Sequence, residues 1–121
     1  MSRARILIVE DDDIIARLMQ WRVEKLGYEV CGRAAEGNEA ISLVEQKSPN
    51  LVLLDIGLPG TIDGIEAAKR IREISKTSIV FVTGHFQGEI IERAKTTHPD
   101  GFIMKPFEDN DLRVGIELAL R

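Results

Sequence analysis

Apolar residues along the chain gather in five short runs, each too short for a helix and each bounded by turn or polar residues: Ile6-Leu7-Ile8-Val9, Val30-Cys31, Leu51-Val52-Leu53-Leu54, Ile79-Val80-Phe81-Val82 and Phe102-Ile103-Met104. All five are predicted to be β-strands. The first, third and fourth carry no polar alternation, which is how strands buried on both faces of a parallel sheet read, so helices should cover both faces. Between the runs the period becomes helical. Ile15, Leu18, Met19, Val23 and Leu26 form one apolar stripe, stopped at Gly27. Ala40, Ile41 and Val44 form a second before Ser48-Pro49, Ile65, Ala68 and Ile71 a third, and Ile90, Ile91 and Ala94 a fourth before Pro99-Asp100-Gly101. Leu112, Ile116, Ala119 and Leu120 form the last, after the acidic segment Glu108-Asp109-Asn110-Asp111, which suits a helix N-terminus. The predicted order is a strand followed by a helix, five times, with short loops and no repeat or linker. That pattern implies an α/β fold with a doubly wound, five-stranded parallel sheet.

Length and composition sharpen this. A chain of 121 residues is the size of one domain with one core, so residues 1–121 are read as a single unit that needs neither disulfides nor a structural metal to fold. The lone Cys31 cannot form an internal bridge, and one unpaired thiol fits a reducing compartment. The apolar runs are far shorter than the roughly 20 residues needed to span a bilayer, and no signal-peptide core follows Met1. A soluble, cytoplasmic protein is expected. With 16 basic and 20 acidic side chains interspersed, the net charge of −4 repels a nucleic-acid backbone, so direct nucleic-acid binding by this chain is not expected. Trp21 falls on the flank of the first stripe and is read as a half-buried edge residue without a function of its own.

In an open parallel sheet, ligands bind beyond the carboxyl ends of the strands. Here those ends are polar: Glu10-Asp11-Asp12 after the first strand, Asp55 after the third, Thr83 after the fourth and Lys105-Pro106 after the fifth. Crowded carboxylates repel, and a proton or a cation must offset their charge. Mg²⁺, which takes oxygen ligands and usually keeps several waters, suits Glu10, Asp11 and Asp55. Together with a lysine and a hydroxyl the set reads as a phosphoryl-transfer site, with Asp55, the carboxylate at the end of the central strand, as the nucleophile that accepts the phosphoryl group. The plainer reading is that such acids cap the next helix, and Asp12 or Asp13 is expected to do so.

The segments Ile6-Leu7-Ile8-Val9-Glu10-Asp11-Asp12, Leu53-Leu54-Asp55-Ile56-Gly57-Leu58-Pro59, Asp63-Gly64, Val82-Thr83-Gly84 and Lys105-Pro106-Phe107 together resemble the receiver domain of two-component response regulators, in order, from about residue 4 to the end. The resemblance implies a flavodoxin-like sheet of order 2-1-3-4-5. It implies that Asp55 is the phosphoacceptor, that Asp11, Asp55 and the backbone carbonyl of Gly57 hold Mg²⁺, and that Glu10 acts mainly through water. Thr83 would be the switch hydroxyl, Phe102 the switch aromatic that turns inward with it, and Lys105 the partner of the phosphoryl oxygens. It further implies a cis Lys105-Pro106 peptide. The implied partners are a histidine kinase or phosphotransfer protein upstream and an undetermined effector downstream, reached through a face of helix four, strand five and helix five. One departure is visible: Gly60-Thr61-Ile62 resembles a one-residue insertion, which puts the loop path and the start of helix three in question.

The leading expectation is therefore a phosphorylation-dependent signalling module that catalyses only its own phosphorylation and dephosphorylation. No output domain follows Arg121, so the chain is read as free-standing or cut from a larger protein. A phosphohydrolase of the haloacid-dehalogenase kind needs a second Asp two residues after the nucleophile, where this chain has Gly57. An FMN-binding flavodoxin would need a phosphate loop where the acids lie. A receiver-shaped interaction domain that works without phosphate is opposed by the full set of site residues. His85 and His98 are read as surface histidines, with His85, two residues after Thr83, close enough to affect water access to the site.

Overall fold

The computed structural model describes residues 3–84 and 87–121. The expectation for His85 lies outside the described residues. Five strands alternate with five helices: β1 Arg5–Val9, α1 Asp13–Lys25, β2 Glu29–Ala34, α2 Gly37–Lys47, β3 Leu51–Leu54, α3 Gly64–Ile74, β4 Ser78–Thr83, α4 Gly88–Lys95, β5 Gly101–Met104 and α5 Asp109–Ala119. The strands form one parallel sheet in the order β2-β1-β3-β4-β5, as the resemblance implied.

The unbroken apolar runs behave as buried strands because they face two cores at once. Leu7, Val9, Val52, Leu54, Ile79 and Phe81 point to one side, where Ala40, Val44, Ile65, Ala68, Ile71 and Ala94 of α2, α3 and α4 cover them. The intervening Ile6, Ile8, Leu51, Leu53, Val80 and Val82 point to the other, beneath Met19 and Val23 of α1 and Leu112, Ile116 and Ala119 of α5. Successive strand residues alternate between faces, so a strand covered on both sides has no position left for a polar residue.

The second strand is longer than its two-residue apolar core suggested. As an edge strand it has one hydrogen-bonded neighbour and carries exposed Glu29 and Arg33. Its register against β1 slips between Ile6 and Leu7, whose partners are Val30 and Gly32, leaving Cys31 as the extra residue of a bulge. Trp21 is 57% exposed, more open than a half-buried edge residue, and the Lys25 ammonium sits 4.7 Å from its ring centroid. Among the described residues no helix is long and apolar enough to cross a membrane.

The loop after Asp55, which carries Gly60-Thr61-Ile62, is pinned at three points. Gly60 takes φ +96°, a conformation that side chains disfavour, and Asn38 of α2 donates a hydrogen bond to the Thr61 hydroxyl at 2.8 Å. Ile62 is buried over Gly37, where any Cβ would lie 2.7 Å from Ile62 Cγ1. Helix three begins at the Asp-Gly pair. Asp63 caps it by accepting from the Glu66 amide at 2.9 Å, and the Gly64 amide donates to the Ile56 carbonyl at 2.8 Å.

This close approach generates a contrast between two glycines at helix starts. A Cβ on Gly64 would lie 1.9 Å from the Asp55 carbonyl oxygen, whereas one on Gly88 meets no described heavy atom within 4 Å. Gly64→Ala is expected to lose about 3 kcal/mol of stability through forced backbone displacement. Gly88→Ala should be neutral or gain up to about 1 kcal/mol by restricting the unfolded chain. Urea denaturation of the two variants checks both.

Candidate functional site

Because the strands are parallel, β1, β3, β4 and β5 all end on the same edge, and the residue after each run projects there. Glu10 follows β1 and is 5% exposed, and its backbone amide donates to the Ala34 carbonyl of β2 at 2.9 Å. Asp55 follows β3, is 8% exposed, and its amide donates to the Val9 carbonyl at 3.0 Å. Both backbones are thus held as extensions of the sheet ladder. Lys105 follows β5, and its amide donates to the Thr83 carbonyl at 3.1 Å, which fixes the stem of a side chain that crosses the edge. The Lys105-Pro106 peptide is cis, as the resemblance implied.

The Lys105 ammonium bridges the two buried carboxylates, 2.5 Å from Glu10 Oε1 and 3.1 Å from Asp55 Oδ2. The remaining oxygens face backbone donors: the Asp12 amide reaches Glu10 Oε2 at 3.2 Å and the Gly57 amide lies 3.4 Å from Asp55 Oδ1. Asp11 sits at the rim, exposed, and carboxylate oxygens of Glu10, Asp11 and Asp55 all lie within 4.8 Å of one another. Three acids therefore face one ammonium. That excess of negative charge on oxygen donors, two of them buried, fits a small hard divalent cation.

The electrostatics follow from burial. Loss of solvent pushes the Glu10 carboxyl above its ordinary value, against the opposing hydrogen bond from Lys105, the Asp12 amide and the lysine charge, while the nearby Asp55 charge adds to the rise. For Lys105 burial acts the other way and favours loss of the proton. The Glu10 hydrogen bond and the charge and hydrogen bond of Asp55 together outweigh it, and the net shift is upward. A lysine pKa raised on folding contributes stability below its unfolded value and loses it only as pH climbs through the folded one, so the ammonium stays in place across the neutral range.

The other predicted residues fall around this centre. Thr83 is the last residue of β4 and is fully buried, opposite Met104 in the β5 register. Gly57 is exposed in the loop after Asp55. Phe102 is 36% exposed; its ring lies 5.5 Å from that of Phe81, tilted by 33°, so in this conformation it is not turned fully inward. The capping expectation resolves to Asp12, whose carboxylate accepts from the Ile14 and Ile15 amides at 2.9 and 3.1 Å. Asp13 instead pairs with Arg17 and Arg33.

Sequence reasoning gave Asp63 no task beyond its motif. Besides capping α3, it accepts from the Arg93 guanidinium of α4 at 3.1 Å. The cap was legible, since an Asp directly before an apolar helical stripe is an N-cap signal; the partnership with Arg93 spans 30 residues and had none.

Comparison with known proteins gives a consistent picture. The sequence model of the response regulator receiver domain matches residues 6–117. Transcriptional regulatory protein PdtaR of Mycobacterium tuberculosis is 37% identical over 116 residues, 96% of this chain and 56% of that protein. The transcriptional regulatory protein YrkP of Bacillus subtilis is 38% identical over 117 residues, 97% of this chain and 49% of that one. The chain spans about half the length of the curated relatives it matches. Among solved structures, the signal receiver domain of a modulated diguanylate cyclase from Desulfovibrio desulfuricans superposes with a TM-score of 0.93 at 34% identity, covering 98% of this chain and 94% of that one. A response regulator receiver domain protein from Methanospirillum hungatei gives 0.90 at 32% identity, with 98% and 94% covered. The matched span runs from within β1 into α5 and takes in every edge residue described above, and on that ground the chain belongs to the response regulator receiver domain family.

Proposed function

We propose that the chain, taken over residues 1–121 as one receiver unit, accepts a phosphoryl group on Asp55 from a histidine kinase, a phosphotransfer protein or a small phosphodonor, in a step that needs Mg²⁺. The observation that carries this reading is the convergence of Glu10, Asp55 and Lys105, drawn from three strands, within 3.1 Å of one ammonium. A carboxylate oxygen of Asp55 attacks phosphorus. The bond from phosphorus to the donor's imidazole nitrogen or acyl oxygen breaks, and its electron pair leaves with the donor. Lys105, already charged and held by the β4–β5 ladder, pairs with the phosphoryl oxygens and needs little reorganisation to do so. Asp11, Asp55 and the Gly57 carbonyl would hold the cation, with Glu10 acting through water, and when bound it neutralises charge on the transferring oxygens.

The buried hydroxyl of Thr83 stands at the end of the strand beside Lys105, from where it can turn towards a phosphoryl group on Asp55. Phe102 follows as the neighbouring aromatic, and the surface of α4, β5 and α5 responds. That surface suits a protein partner or an output domain: Phe102, Met104, Val114 and Leu118 leave an exposed apolar strip along a groove of about 620 Å³ between β5 and α5. The reading is of a signalling module that turns over only its own phosphoryl group, in the cytoplasm, with no direct role in nucleic-acid binding for this chain.

Three outcomes test it. Incubation with acetyl phosphate and Mg²⁺, followed by intact mass measurement, should add one phosphoryl group to the wild type and none to Asp55→Asn or to the wild type in excess chelator. Stoichiometric labelling of Asp55→Asn would reject the assignment. By titration, Asp11→Asn should weaken Mg²⁺ binding at least about tenfold and more than Glu10→Gln, because a direct ligand loses more than a water-mediated one; equal losses would reverse the ranking. Lys105→Met leaves two buried carboxylates without their counter-ion, so it should cost about 2 kcal/mol without divalent cation and recover much of that in saturating Mg²⁺, as read by thermal denaturation.

A further inference from the structure

We infer that the ion pair between Asp63 and Arg93 is a latch that holds α4 against the phosphoacceptor loop and opposes the phosphorylated state; the inference rests on the phosphoacceptor reading of Asp55. The pair joins a rigid partner to a loosely held one. On the rigid side, Asp63 caps α3 and is followed by Gly64, whose amide bonds to Ile56 and whose Cα is packed so close to Asp55 that no Cβ fits. The backbone at Asp63 is thereby tied to the segment that carries the phosphoacceptor.

On the other side, α4 is eight residues long and starts five residues after Thr83. Gln87 caps it without a side-chain hydrogen bond, Ala94 is its one fully buried residue among those described, and Ile90 packs against the core only in part. Its ion pair Lys95–Glu92 lies within the helix and ties it to nothing else. Arg93 to Asp63, at 3.1 Å, is the ion pair among the described residues that fastens α4 to another element. Glu89 stands one turn before Arg93 on the same helix, and a Glu four residues N-terminal to an Arg is a favourable helical pair, so the guanidinium has a second partner waiting when α4 leaves Asp63. A displacement of α4 away from the loop that follows Asp55 would break the first pair and could form the second, which makes the pair a bias on the switch equilibrium rather than a fixed strut.

Asp63→Asn separates the latch from the cap, because Asn caps helices as well as Asp but carries no charge. The experiment titrates beryllofluoride, a phosphoryl mimic, at saturating Mg²⁺ against wild type, Arg93→Gln, Asp63→Asn, the double variant and Lys95→Gln. For a pair at this exposure, loss of the latch should lower the half-saturating concentration about two- to fivefold in each single variant. The double variant should do no better than the singles, Lys95→Gln should match the wild type, and the differences should shrink in about 0.5 M salt, where the Debye length falls to a few ångströms. Unchanged or weaker binding in the single variants, additive effects in the double, or differences that survive high salt would overturn the latch while leaving the phosphoacceptor reading intact. A wild type that binds no beryllofluoride with Mg²⁺ would overturn both.

Discussion

The Lys105 ammonium between Glu10 and Asp55 is the interaction on which the rest of the site depends. Two strand ends, β1 and β3, bring like charges to one edge, and without a cation there the two buried carboxylates would repel each other in a poorly solvated place. A buried ion pair seldom adds much net stability, since desolvation offsets the attraction. Its value here lies in specification: it holds two carboxylates in place with a positive charge that is itself anchored through the Thr83 carbonyl. The excess of acid over base that remains is the chemical reason the edge suits a divalent cation.

The sheet supplies the precision that such a site needs. Glu10 and Asp55 are each tied by a backbone hydrogen bond to a neighbouring strand, and the strands beneath them are packed on both faces by apolar residues. A side chain at the end of such a strand inherits the rigidity of the core. The helices are less uniform. Helices α1, α3 and α5 each bury three or more residues, whereas α4 buries one, so the element beside Thr83 is the one with least packing to overcome if it moves.

The loop after Asp55 is held by contacts of its own. Gly60 takes the left-handed turn, Ile62 inserts between α2 and α3, and the helix start stays at Asp63-Gly64, because those two are held by the cap and by the Ile56 carbonyl. The cap thereby stays beside Asp55, and Ile62 packs inward while Gly60 and Thr61 stay exposed.

What the sequence determined by itself was everything governed by local pattern. Four-residue apolar runs at β1, β3 and β4 could only be strands buried on both faces, five helical stripes lay between and after the strands, and the polar residue ending each run was visible as a member of one edge. The edge strand β2 was legible only at Val30-Cys31, because a strand with one neighbour tolerates Glu29 and Arg33 and loses its apolar signature. Tertiary structure alone decided which acids were buried and which exposed, that Lys105 reaches both Glu10 and Asp55, that Asp12 rather than Asp13 caps α1, that Phe102 lies partly outward against Phe81, and that Asp63 meets Arg93. Those facts depend on the distance between side chains far apart in the chain, and such distances are set by how strands stack and helices dock, which the period of hydrophobic residues does not encode.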